Sequence, residues 1–181
     1  MSKIFRPERE WLWLAAVLCI GLAANPAPLA AQSAADQDAA EIETQQFEDW
    51  ILRCRPASET QPRDCIILQN VVAEDSGKPV LQVVARKYGP EKVLGTVINV
   101  PVGVRLPPGL GIQVDERALR MFPFEICDSR SCEVRAVLDA DLLQDFKAGL
   151  TGHVKVQKAG GQEMIVRFSL KGFSAALQAL P

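Results

Sequence analysis

The stretch FEICDSRSCEVRAVLD (residues 124–139) decides the fold, because two kinds of evidence meet in it. Its second half alternates, so that Cys132, Val134 and Ala136 would lie on one face of a strand and Glu133 on the other. A period of two is typical of a β-strand with one buried face. Its two cysteines flank the polar, turn-prone loop DSRS. The stretch therefore predicts a hairpin-like pair of strands that a disulfide could hold together.

Short segments of the same character recur along the chain, rich in Val, Ile, Leu and Phe and mostly separated by Gly, Pro, Asp or Ser. They are residues 47–54, 65–73, 79–88, 92–100, 109–115, 119–127, 132–139, 153–158 and 163–170. Many short strands punctuated by turns favour an antiparallel sandwich or barrel. We expect an all-β fold: a single antiparallel β-sandwich of about nine strands, stapled by disulfides.

Two segments depart from the alternation and predict short helices. In residues 139–149, Asp139 or Asp141 would cap an apolar stripe that ends at Gly149. The final segment places Phe173, Ala176, Leu177 and Leu180 at the spacing of an amphipathic helix. The predicted core combines inward-facing residues of strands and helix: Trp50, Leu52, Leu81, Val83, Ile112, Val134, Ala136, Val154, Val156, Val166, Phe168 and Phe173.

The N-terminus predicts export. Three basic residues precede an apolar run at residues 11–24, and small residues follow it, as in a cleavable secretory signal. We place the cleavage after Ala31, with residues 33–35 as a nearby alternative site and an uncleaved anchor as the minority interpretation. Residues 1–31 are then a signal peptide, residues 32–43 a flexible polar leader, and residues 44–181 the folded domain.

The charge of the exported chain excludes a nucleic-acid-binding role. Cleavage removes three of the 20 basic and two of the 22 acidic residues, which leaves 17 and 20 and a net charge of −3. No basic stripe remains for nucleic acid, and no second hydrophobic run predicts a stable membrane span. We expect a periplasmic domain that could also reach the outer surface or be secreted.

Four cysteines remain after cleavage: Cys54, Cys65, Cys127 and Cys132. An even number in an exported chain indicates disulfides, and three pairings are possible. Local pairing, Cys54–Cys65 and Cys127–Cys132, is favoured because each pair flanks a polar loop. The spacing of a zinc site and the C-x-x-C of a dithiol catalyst are absent. We therefore expect no metal and no cofactor.

Catalytic residues are scarce. His153 is the only histidine, and its alternation with Val154 directs it towards solvent. No serine has an evident base beside it, and the pair Asp139 and Asp141 is explained by helix capping. We expect a protein that is not an enzyme. The alternative is a periplasmic hydrolase in which two carboxylates meet across the sheet.

Three groups of residues resemble the invasion-associated locus B family of Gram-negative envelope proteins. They are the set Trp50, Cys54, Cys65 and Gln69, the turn PVGVRLPPG (residues 101–109) and the run SLKGF (residues 169–173). The similarity extends in order from Phe47 to Leu180, and Ser131 stands where the family tends to have glycine. The resemblance implies an exported all-β domain linked in some pathogens to host-cell (erythrocyte) invasion. It carries over no catalytic residue.

The expected function is a binding module that contacts a protein, an envelope component or a host surface, in virulence or in envelope maintenance. Its candidate contact surface is the proline-stiffened loop at residues 101–111 with Val104, Arg105, Leu106 and Leu110. A stiff loop loses little entropy when a partner docks. In the competing interpretation these side chains fold back and close one end of the sandwich.

Overall fold

The computed structural model describes residues 41–181, which form eleven strands and two helices. The strands are β1 (Glu43–Phe47), β2 (Trp50–Arg55), β3 (Asp64–Val72), β4 (Pro79–Tyr88), β5 (Val93–Pro101), β6 (Leu110–Val114), β7 (Arg120–Phe122), β8 (Ile126–Cys127), β9 (Ser131–Val137), β10 (Thr151–Gln157) and β11 (Glu163–Ser169). The helices are α1 (Ala140–Ala148) and α2 (Phe173–Ala179). The predicted signal peptide and most of the leader lie outside the described residues.

The strands form two antiparallel sheets, which confirms the predicted all-β fold. The large sheet has seven strands in the order β1-β2-β3-β4-β5-β9-β8, and the small sheet has four in the order β11-β10-β6-β7. Apolar residues of both sheets and both helices share one core, because alternation places one face of each strand inward. No helix in the described part of the chain is long and apolar enough to cross a membrane.

The sequence predicted about nine strands where the structure has eleven, because β1 was missed and one predicted segment divides. A two-residue turn, in which Glu48 adopts a positive φ of 49°, separates β1 from β2, so the segment predicted from Phe47 contains β2 and only the last residue of β1. The segment predicted at residues 119–127 divides at Pro123, which lacks the N–H that a continuous ladder needs, so β7 joins the small sheet and β8 the large one. β1 also begins at Glu43, inside the segment predicted as leader.

The core centres on three aromatic rings. Phe173 of α2 packs edge-on against Trp50 and against Phe146 of α1, with ring centroids 5.0 and 5.3 Å apart. All three side chains are fully buried. The predicted core residues are buried with one exception, Val166, which is only half-buried because β11 lies at the edge of the small sheet.

A buried polar seam joins the two sheets beside this cluster. Gln69 of β3 accepts a hydrogen bond from the Ser169 backbone N–H (2.8 Å) and donates one to the Asp49 carbonyl (2.8 Å). The indole N–H of Trp50 donates to the Ser169 carbonyl (3.0 Å). Buried polar groups need such partners, so these bonds fix the C-terminal end of β11 against the large sheet.

Both predicted helices are present. Asp139 caps α1 by accepting a hydrogen bond from the Leu142 N–H (2.9 Å), and the helix ends at Gly149. α2 begins after Gly172, whose left-handed φ of 85° suits glycine. A Cβ atom on Gly172 would also collide with the carbonyl oxygen of Phe47. The close approach of these two backbones places α2 against the β1–β2 hairpin.

Candidate functional site

The four cysteines pair as predicted, Cys54 with Cys65 and Cys127 with Cys132. In each pair the two residues are direct cross-strand partners, the first between β2 and β3 and the second between β8 and β9. Each disulfide therefore reinforces neighbouring strands of the large sheet. Among residues 41–181, no three His, Cys, Asp or Glu side chains form a cluster that could hold a metal ion.

The predicted contact loop connects β5 to β6, and hydrogen bonds fix its backbone. The Arg105 N–H donates to the Gln157 carbonyl (2.8 Å), and the Ala159 N–H donates to the Gly103 carbonyl (2.7 Å). The Val102 N–H donates to the carbonyl of Arg130 in the β8–β9 loop (3.2 Å). The loop is thus held to two neighbouring connections, and its shape does not depend on a partner.

The side chains of this loop divide between core and surface: two of the predicted contact residues fold back as in the competing interpretation, and two remain exposed. Leu110 cannot serve as the contact residue that the sequence suggested, because it is the first residue of β6 and is fully buried. Val104 is half-buried against the core, because its backbone forms a β-bridge with Lys158. Leu106, which is 47% exposed, lies beside the exposed Arg105, and Val102 is exposed as well.

An open cleft of about 820 Å³ runs along β11, and no part of it was predicted as a site. Its lining includes four consecutive residues of β11, from Met164 to Arg167, and faces Val71, Val72 and Val80 of the β3–β4 hairpin. His153 lies in this cleft. It is half-buried, and its Nδ1 atom is shielded from water with no hydrogen-bond partner in the described part of the chain. The predicted alternation of His153 with the buried Val154 is confirmed, but the sequence did not indicate that the outward-facing His153 is half-buried.

A second cleft, of about 840 Å³, lies at one end of the large sheet. Asn70, Gln82 and Asn99 stand opposite one another on three adjacent strands and join by hydrogen bonds of 2.9 and 3.3 Å between their amides. Glu133 continues the row on β9, where its carboxylate accepts a hydrogen bond from Arg135 (2.6 Å). The amides of this row largely satisfy one another.

Several carboxylates that could have served a hydrolase are engaged in structural contacts. Arg120 and the first turn of α1 hold the pKa of Asp139 well below its usual range. Hydrogen bonds from the Arg130 and Ser131 N–H groups lower the pKa of Asp128. Asp115, which lines the first cleft, accepts a hydrogen bond from the Thr151 N–H (2.9 Å). A general acid needs a raised pKa, and the contacts at Asp139 and Asp128 act in the opposite direction.

The model of the family described as "Invasion associated locus B (IalB) protein" matches residues 50–181. The chain belongs to the IalB family. The matched region contains every strand except β1, both helices and both disulfides. The fold described above is therefore that of an IalB domain.

Two curated relatives and one solved structure agree with this assignment. The chain is similar to the invasion protein B homologs of Brucella abortus strains 2308 and 9-941, with 27% identity over 135 residues that cover 74% of this chain and 76% of each relative. It is also similar to the crystal structure of invasion associated protein B from Bartonella henselae. That likeness has a TM-score of 0.66 and 21% identity, and it covers 76% of this chain and 94% of the other, so it supports the fold alone.

Within this IalB domain, the sequence could identify the connecting loop but not the cleft. Proline and glycine mark the loop in the chain itself, whereas the cleft forms between β11 and a hairpin some 90 residues earlier. One local sign was available. Ile165 occupies a position where the alternation of β11 calls for a polar residue, and its side chain is 49% exposed.

Proposed function

We propose that this protein is an exported binding module of the bacterial envelope that contacts a protein or a surface component of the envelope or of a host cell. We also propose that its role is binding and not catalysis. The names of its relatives support an association with invasion. Two disulfides support an oxidising compartment, because they persist outside the cytoplasm.

The observation that carries this proposal is the construction of the β5–β6 loop. Its backbone is fixed by hydrogen bonds to the β10–β11 turn and to the β8–β9 loop, while Val102, Arg105 and Leu106 remain exposed. A partner that docks on such a surface orders little additional chain, so less of the contact energy is lost to entropy. An arginine beside apolar side chains is a common composition at the centre of protein interfaces.

The proposal is tested by replacing these side chains. The double variant Arg105→Ala/Leu106→Ser should melt as the wild type does and should lose capture of the partner by crosslinking on intact cells. Leu119→Ser is the matched control, since Leu119 is a leucine of similar exposure (44%) outside the loop, and His153→Ala is a second control. Both controls should retain capture.

Site-directed crosslinking identifies the partner. A photoreactive side chain at position 106 should label one discrete partner, and the same group at position 119 should not. A partner that belongs to the envelope appears with bacteria alone, whereas a host partner appears only when host cells are present. If the double variant keeps full capture, or if it unfolds, the loop is structural and the proposal of a contact surface there is wrong.

A further inference from the structure

The free edge of β11 is the longest exposed strand edge in the described part of the chain. The two sheets end at β1, β8, β7 and β11, which have five, two, three and seven residues. An unpaired edge presents a row of N–H and C=O groups that can pair with another strand. β11 therefore offers the largest such row among these edges.

The direction of these groups follows from the polar seam. The N–H and C=O of Ser169 bond to Gln69 and Trp50, so both point away from β10. In an antiparallel pair, groups of this orientation recur at every second residue. The backbone groups of Arg167, Ile165 and Glu163 therefore also point away from β10. No hydrogen bond from residues 41–181 reaches the outward groups of Ile165 or Arg167.

The edge divides into two halves. In the sealed half, at Ser169, the polar seam occupies the outward groups. In the open half, residues 163–167, no hydrogen bond within residues 41–181 occupies the outward groups of Ile165 or Arg167, and Met164 to Arg167 line the cleft of about 820 Å³. A neighbouring strand needs a separation of roughly 4.8 Å. The cleft runs along four of the five residues of the open half.

The open half, EMIVR, is complementary to itself when two copies run antiparallel. With Ile165 opposite Ile165 of a second chain, Glu163 lies opposite Arg167 at both ends, and Met164 lies opposite Val166. Glu163 and Arg167 form no ion pair within residues 41–181. Opposite charges and apolar residues in direct cross-strand positions are the favourable pairs of a sheet.

We propose that two copies of this chain associate through antiparallel pairing of their β11 edges, centred on Ile165. This register also suits the backbone. Glu163, Ile165 and Arg167, whose N–H and C=O groups point outward, lie opposite one another in the two chains and can exchange hydrogen bonds. The β10–β11 turn ends the partner strand before it reaches the sealed half. The contact is a closed two-fold interface, so it forms a dimer and no fibre. Because a strand pair of this length buries less area than a standard interface of about 1,600 Å², the dimer is a transient one, populated at high protein concentration.

Charge reversal provides a direct test in the mature protein by sedimentation velocity over a concentration series. Glu163→Arg and Arg167→Glu should each weaken self-association roughly tenfold or more, since both terminal pairs become repulsive. An equimolar mixture of the two variants should restore the dimer, because each carries the charge that the other requires. Glu91→Arg, which reverses an exposed charge in the β4–β5 turn, should associate as the wild type does.

Three results would overturn the inference. The wild type could remain monomeric at every concentration, the two variants could associate as strongly as the wild type, or their mixture could fail to recover the dimer. Circular dichroism of each variant confirms that the fold is intact, and the loop variant Arg105→Ala/Leu106→Ser should dimerise normally. Loss of the dimer and loss of partner capture are therefore separable.

Discussion

The two halves of the β11 edge differ in how their outward backbone groups are used. In the sealed half, one buried amide and one indole satisfy Ser169 and join the two sheets. In the open half, the same kinds of group at Ile165 and Arg167 have no hydrogen-bond partner within residues 41–181. The sealed half lies beside the aromatic core, and the open half lies where Val166 is only half-buried. The difference separates the part of β11 that stabilises the fold from the part that is available for contact.

The largest expected effect on the free energy of unfolding follows from replacing Trp50, whose indole N–H bonds to Ser169 in the sealed half. Trp50→Ala should lower the free energy of unfolding by about 3–5 kcal/mol, because it removes a fully buried aromatic side chain and leaves a cavity beside Phe173. Urea denaturation measures the loss. Trp50→Phe keeps most of the packing but removes the donor to Ser169, so its cost should be clearly smaller. A loss below about 1 kcal/mol for the alanine variant would contradict the assignment of Trp50 as the centre of the core.

The disulfide nearest the sealed half should contribute more than the distant one. Replacing both Cys54 and Cys65 by alanine should cost roughly 3 kcal/mol, and replacing both Cys127 and Cys132 roughly 2 kcal/mol, since the first loop is longer. The first bridge joins β2 and β3, which supply Trp50 and Gln69. Thermal unfolding of the two double variants shows which disulfide contributes more to stability. The reverse order would show that loop length does not govern the difference.

Much of this fold could be predicted from the sequence, because its apolar alternation is local. The period of two placed most of the strands, and the caps at Asp139 and Gly149 placed α1. β1 was missed because its sequence, ETQQF, is mostly polar and lies exposed at the edge of the sheet. A strand of this kind is defined by its partner β2 and not by its own pattern.

The site was less predictable, because its properties depend on residues that are distant in sequence. The proline-rich loop was recognisable, but a bridge to Lys158 determines that Val104 turns inward. Likewise, the half-buried state of His153 follows from a cleft that three strands and a hairpin assemble. The alternation of a strand predicts on which face of the sheet a side chain lies. It does not predict which residues, distant in sequence, pack against that face.

A smaller loss of stability is expected when the side-chain amide of Gln69, which bonds to Ser169 in the sealed half, is removed. Gln69→Ala should lower the free energy of unfolding by about 1–3 kcal/mol, because the Ser169 N–H and the Asp49 carbonyl lose a buried partner.

Native-state hydrogen exchange compares the backbone amides of the two halves directly. In the wild type the Ser169 amide should be protected while the Ile165 and Arg167 amides exchange faster, and in the variant this contrast should shrink. Equal exchange at the three amides in the wild type would remove the distinction between the halves.

The smallest effect is expected in the open half. Ile165→Thr should change the free energy of unfolding by less than about 0.5 kcal/mol, since the side chain faces away from the core and threonine suits a strand. The measurement belongs at low protein concentration, where monomers dominate. Phe168→Leu, at a buried position of the same strand, is the contrasting variant and should destabilise the fold measurably.

The contact between Trp50 and Phe173 also has a consequence for the order in which the domain can form. Trp50 and Phe173 are 123 positions apart in the chain, and Leu180, which follows the same helix, is buried as well. Contacts of such long range slow folding, and during synthesis the N-terminal hairpin is available long before the helix that covers it. A chain truncated before Phe173 would therefore lack part of its interior, and the domain can complete its core only after residues 173–180 have been synthesised.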